Sequence, residues 1–190
     1  ASTRLPGKPL AEIAGLPMIV HVWRRAVEAE AGPVLVACAE REIADAVERA
    51  GGRAVLTKPD HPSGTDRVHE AVEALDPAGD YDIVLNVQGD LPTLDPKLIR
   101  ILLGLFDDSS VDIATLATRL RDAQERTLAS VVKVSASDPN LEKIGHSQAV
   151  RFIRQPAAED PAAYYHHIAL YGFRRHALRR FVRLPPSQGE

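Results

Sequence analysis

Cysteine, methionine and tryptophan occur once each, and aromatic residues make up only 5% of the 190-residue chain. A single thiol excludes a disulfide framework. Cys38, inside the apolar stretch from Val34 to Ala39, reads as a buried inert thiol rather than a nucleophile. Long apolar runs are missing too: there is no stretch of about 18 uninterrupted hydrophobic residues, and the start has neither the basic nor the apolar region of a signal peptide. A soluble, cytoplasmic protein without membrane insertion is therefore expected. Basic excess is also lacking, since a net charge of −3 offers no general means of neutralising a nucleic-acid backbone, and no nucleic-acid partner is expected. No Ser-His-Asp, Cys-His or zinc-ligand spacing stands out, which sets covalent and zinc mechanisms aside.

What is present suffices for a core, because 45% of the residues are hydrophobic. Met18, Ile19, Val22, Trp23, Ala26 and Val27 recur at helical spacing until Gly32 and Pro33. An aliphatic strand from Pro33 to Cys38 and a helix from Glu40 to Ala50 follow. Next come a strand from Arg53 to Thr57, a polar loop from Lys58 to Gly64, a helix capped by Thr65 and reaching Leu75, and a strand from Ile83 to Val87. The remainder predicts a helix from Asp95 to Phe106, strands at Val111 to Ala117, Val131 to Ser135, Ala149 to Ile153 and Tyr165 to Phe173, and a helix from Arg174 to Arg183. Alternation of this kind predicts an α/β fold with a mostly parallel sheet covered on both faces and ligands at the strands' carboxyl ends. With no repeat and no linker, one domain over residues 1–190 is expected, and the stretch from Gln155 to Ala163 reads as a long loop over a site. The chain opens on a loop where such a fold normally has its first strand, so residues before Ala1 are expected.

Four groups of residues carry chemistry. Ser2 to Leu10 combines hydroxyls, Gly7 and the cations Arg4 and Lys8, a set suited to a triphosphate, though it also reads as a solvated turn and lacks the Walker A glycine pattern. Asn86-Val87-Gln88-Gly89-Asp90 ends an aliphatic strand, so Asp90 either holds Mg²⁺ against phosphate oxygens or begins a turn. His61 to Arg67 enters a helix amino terminus, a place for ligand anions or a plain cap motif. Arg154, His167 and Tyr171 suit a hydroxylated, carboxylated substrate, or are structural. His167 and Tyr171, four apart, share one face of a strand, and His166 faces the other.

Ser2-Thr3-Arg4-Leu5-Pro6-Gly7-Lys8-Pro9-Leu10, followed by Gly15-Leu16-Pro17-Met18-Ile19-Val20-His21-Val22, closely resembles the amino-terminal signature of the 3-deoxy-manno-octulosonate cytidylyltransferases, or CMP-Kdo synthetases. Asp60 to Arg67, Val87-Gln88-Gly89-Asp90, Val131-Val132-Lys133-Val134 and His167 to Phe173 extend the resemblance in family order. It implies a three-layer, nucleotide-diphospho-sugar transferase-like (Rossmann-like) fold, CTP and Kdo as substrates, Mg²⁺ as cofactor, lipopolysaccharide synthesis as the setting and a homodimer. By resemblance Arg4, Lys8 and Asp90 are catalytic, with Asp90 the metal ligand. Arg4, Lys8, Ser63, Gly64, Thr65 and Arg67 would bind the nucleotide, and Gln88, Arg154, His167 and Tyr171 the sugar. The family continues beyond the point matching Ser187 with a dimer helix and a second metal aspartate, so the chain is expected to lack both that part and the first strand. Another acidic sugar, such as amino-Kdo or a sialic acid, and a non-catalytic nucleotide-binding paralogue are the alternatives.

Overall fold

The computed structural model describes residues 7–138, 145–157, 160 and 162–185. In chain order the regular elements begin with β1 (Glu12–Ile13), β2 (Leu16–Pro17), α1 (Met18–Glu28), β3 (Val36–Cys38), α2 (Arg41–Arg49), β4 (Ala54–Leu56), α3 (Gly64–Leu75), β5 (Ile83–Val87) and α4 (Pro96–Gly104). They continue with β6 (Ile113–Arg119), α5 (Ala123–Thr127), β7 (Lys133–Ala136), β8 (Ala149–Ile153), β9 (Tyr164–Arg174) and α6 (Arg175–Phe181). Single 3-10 turns lie at Lys8–Leu10 and Leu105–Asp107. The residues gather into two compact units, one made of the chain up to Ala114 with Leu170 onward, the other of Thr115–Ala169.

In the first unit β3 and β4 pair in parallel, Val36 opposite Ala54 and Cys38 opposite Leu56. Helical spacing in α1 and α2 turns Ile19, Val20, Ile43, Ala44 and Val47 towards Cys38, and Leu10, Trp23 and Val36 close the cluster. Val20 and Val47 are only 1% and 0% exposed. Burying each contributes roughly 1.5–3 kcal/mol. Around β5 a second cluster joins Val84 to Phe173 and Leu178, with Val68, Val72, Tyr171 and Val182 packed on it. Gly172 is required there by space: a Cβ would lie 2.5 Å from the Phe106 ring. In the second unit β7 pairs with β8 and with the first part of β9.

The α/β class is as the alternation implies, but strand direction departs from the mostly parallel sheet expected. β3 with β4 is parallel, whereas β5 with β9, β7 with β8 and β7 with β9 are all antiparallel. Periodicity reports which strands are buried and not which way a neighbour runs; β9 reaches β5 from far along the chain, and local pattern does not encode that. The sequence reading also missed the β1–β2 hairpin. Its turn residues Ala14 and Gly15 both have positive φ, 50° and 79°, as a type I′ turn demands.

Candidate active site

Gly7 takes the left-handed conformation, φ 72°, that a side chain would disfavour, and so turns the chain into the 3-10 turn at Lys8–Leu10. This delivers Lys8 to the end of β5, where its Nζ donates to Asp90 Oδ2 at 2.7 Å. Both side chains stay open to solvent, at 36% and 49% exposure. The turn carrying Asp90 rests on α1: a Cβ on Gly89 would lie 3.3 Å from Ile19 Cδ1.

The amino terminus of α3 lies against Asn86 and Gln88 at the end of β5. Its cap is Ser63 and not Thr65: the Ser63 Oγ accepts from the Asp66 backbone N–H at 3.3 Å and donates to the Asp66 carboxylate at 2.6 Å. The extended backbone of Ser63 allows this, while Thr65 already lies within the helix. Thr65 instead accepts from Asn86 Nδ2 at 3.5 Å. A Cβ on Gly64 would stand 3.8 Å from Gln88 Oε1, so the Gln88 amide lies over the first helical residue. Arg67 shapes the preceding loop, donating to Thr57 Oγ1 at 2.5 Å and to the carbonyls of Lys58 and Pro59 at 3.0 and 3.4 Å. His61 pairs with Glu70, and that hydrogen bond, helped by the Lys58 N–H, holds the Glu70 carboxyl below its ordinary range. Tyr171 of β9 stands opposite Asn86 of β5 and stacks on Phe173 at 6.2 Å between ring centres.

The second unit holds the other two residues expected at the sugar. His167 is buried; its Nε2 bonds to Thr115 Oγ1 at 2.9 Å, and the Phe152 ring packs edge-on at 5.0 Å. Burial, with a smaller push from His166, lowers the His167 pKa to about 4, so its ring is neutral at pH 7. His166 turns to a different partner, Glu125, at 2.6 Å. The Arg121 N–H first and the His166 ring second keep the Glu125 carboxyl ionised below its ordinary range. Arg154 is exposed and donates to the Ala129 carbonyl at 3.2 Å.

The first unit thus brings together Lys8 with Asp90, Ser63 to Thr65 with Gln88, and Tyr171 with Asn86. Arg154 and His167 belong to the second unit. Arg4 lies outside the described residues. Cys38 is buried and free, with its thiol pKa raised by burial, in keeping with an inert role. Sequence reasoning gave no role to Asn86, Thr57, Lys133 or Glu125. The available signal was polarity inside an apolar strand, as at Asn86, which is 3% exposed, and at Lys133, which is 0% exposed.

Among the described residues no three His, Cys, Asp or Glu side chains cluster as a metal site. Asp90 is nonetheless a half-exposed hard oxygen donor already facing a cation, which fits Mg²⁺ drawing its other ligands from water and phosphate. Chemically, the arrangement offers a partly exposed ammonium, an open carboxylate and a helix amino terminus, groups suited to binding and neutralising a polyphosphate.

A cytidylyltransferase family model matches residues 1–190. The 3-deoxy-manno-octulosonate cytidylyltransferase of Parvibaculum lavamentivorans is 57% identical over 98% of this chain and 71% of its own length. That of Paramagnetospirillum magneticum is 53% identical over 97% of this chain and 74% of its own. The structure of CMP:2-keto-3-deoxy-manno-octonic acid synthetase complexed with CTP superposes with a TM-score of 0.85 at 37% identity, covering all of this chain and 76% of that one. With that superposition the fold is the nucleotide-diphospho-sugar transferase-like one, and the chain belongs to the 3-deoxy-manno-octulosonate cytidylyltransferases of the cytidylyltransferase family.

Proposed function

We propose that this chain transfers CMP from CTP to the anomeric hydroxyl of 3-deoxy-D-manno-octulosonate (Kdo), giving CMP-Kdo and pyrophosphate for lipopolysaccharide synthesis in the cytoplasm. The observation that carries this reading is identity at more than half of the positions, over 97–98% of the chain, with two relatives named for that reaction. The geometry agrees in kind, because the exposed Lys8–Asp90 pair holds one charge for a triphosphate and one for the metal that accompanies it.

Lys8, with Arg4, binds the triphosphate, and the start of α3 from Ser63 to Thr65 receives the nucleotide. Arg67 contributes by shaping the loop before that helix. Gln88, Tyr171, Arg154 and His167 are each proposed as a sugar ligand. Asp90 would hold Mg²⁺, which when bound neutralises phosphate charge and sharpens the electrophilicity of the α-phosphorus. The oxygen of the Kdo hydroxyl then forms a bond to that phosphorus, giving up its proton to water, as the bond to the pyrophosphate oxygen breaks. No side-chain nucleophile takes part, and alignment with charge neutralisation supplies the rate. His167, neutral at pH 7, serves as a hydrogen-bonding partner rather than a cation. One cytidylyltransferase domain acting as a homodimer completes the reading, and light scattering tests the dimer.

Pyrophosphate release with CTP and Mg²⁺ is the deciding assay, comparing Kdo, an amino-Kdo analogue and N-acetylneuraminate. Release with Kdo alone is expected. Release with another sugar keeps the reaction and changes the substrate, while CTP binding without release with any sugar overturns the enzymatic reading in favour of a nucleotide-binding paralogue.

A further inference from the structure

Lys133 is among the largest fully buried side chains described, yet it is a lysine. Its Nζ makes three hydrogen bonds, all to backbone carbonyls: Leu128 at 2.5 Å, Val131 at 2.9 Å and Arg154 at 2.5 Å. Three donors meet three acceptors, which satisfies the ammonium without a carboxylate in contact. Burial still lowers its pKa, while the charge of Glu125 acts to raise it and that of Arg154 to lower it.

A methionine would fill the same space without the cost of burying a charge. The ammonium does what an apolar chain cannot: it ties the 128–131 turn to the end of β8. That turn in turn receives the Arg154 guanidinium at the Ala129 carbonyl. Lys133 also lies between both sugar-side candidates of this unit. On one side its Cα partner is Ile153, the residue before Arg154, and on the other it is His166, the residue before His167. The His167 N–H donates to the carbonyl of Val132, the neighbour of Lys133, at 3.0 Å.

We propose that Lys133 is a positioning residue for the sugar: by clasping the carbonyls of Leu128, Val131 and Arg154 it presents the Arg154 guanidinium to the acidic substrate. This rests on the reading of Arg154 as a sugar ligand. The test is a double-mutant cycle in steady-state kinetics on the full chain with CTP, Kdo and Mg²⁺. R154A is expected to raise the KM for Kdo about 100-fold, by removing a charge-assisted contact. K133M is expected to raise that KM about tenfold while leaving CTP binding within about twofold, the loss of one or two hydrogen bonds. In the R154A background K133M should add less than about twofold, because it acts through Arg154.

If R154A leaves the KM for Kdo unaltered, the sugar role of Arg154 falls and this inference with it. If R154A acts but K133M weakens CTP and Kdo alike, or adds its full effect to R154A, only the positioning role is overturned. Should K133M fail to fold, amide hydrogen exchange on the wild-type protein decides. Kdo added to the CTP-bound protein is expected to slow exchange in 128–131 and at 154–155 together, and slowing confined to 154–155 overturns the proposal.

Discussion

Two cation–carboxylate pairs in the first unit show how burial assigns different work to the same chemistry. Lys8 and Asp90 meet at 2.7 Å with about a third to a half of each side chain exposed. Arg175 and Asp76 meet where each side chain is less than a tenth exposed. Water screens the first pair, so it contributes at most about 1 kcal/mol and either partner is free to exchange it for a ligand. The second is held by several partners, although the Arg175 Nε is buried without one. Burial acts against the Asp76 charge, but the N–H groups of Asp80 and Tyr81 and the Arg175 guanidinium together hold its carboxyl below the ordinary range. Arg175 also reaches Glu73 at 3.2 Å, so the pair fastens the end of α3 to the start of α6. One pair is built to open and the other to stay shut.

Breaking each pair tests that contrast. Asp90→Asn should lower Mg²⁺-dependent turnover roughly a thousandfold or more, because it removes the carboxylate proposed to hold the metal. Its melting temperature should stay near that of the wild type, and retained activity would remove Asp90 from the metal role. Arg175→Ala should do the reverse to stability, costing about 3–5 kcal/mol in urea denaturation by stranding the Asp76 carboxylate. A loss near zero would mean that the buried pair is energetically idle.

His167 extends the contrast to a buried imidazole whose charged form is disfavoured chiefly by desolvation. Its pKa falls from the ordinary 6.5 to about 4 on folding, so below pH 6.5 the unfolded chain takes up a proton that the native state refuses. Stability from this group is complete above pH 6.5 and declines by about 3 kcal/mol as the pH falls to 4. Denaturation of wild type against His167→Gln across that range measures it, and parallel pH curves would refute the assignment. The smallest effect belongs to Lys8→Ala, which should weaken CTP binding by about tenfold through one lost charge-assisted contact, with stability changed by less than about 1 kcal/mol. Unchanged CTP affinity by calorimetry would undo the triphosphate role.

Much of this was legible without coordinates. Helical spacing placed α1 and α2 within a few residues of their ends, and the apolar run at Ile83–Val87 is β5 as read. Lys8 and Asp90 stood out because a cation in a glycine-bearing loop and a carboxylate after a buried strand suit phosphate and metal. Thr65 was mistaken for the cap in place of Ser63, since either hydroxyl suits that composition and only backbone angles separate them. Lys133 was read only as part of the Val131-Val132-Lys133-Val134 motif and given no role for a physical reason: only the fold supplies the three carbonyls that receive its ammonium.

The sequence by itself determined the class of fold, the family and the chemical kinds of residue available, because periodicity and motif spacing are local properties of the chain. Tertiary structure alone decided strand direction, the meeting of Lys8 with Asp90 across 82 positions, and the difference between an ion pair open to water and one sealed from it. These depend on which distant segments pack together and on how much solvent is left between them, and neither is written in any short stretch of residues.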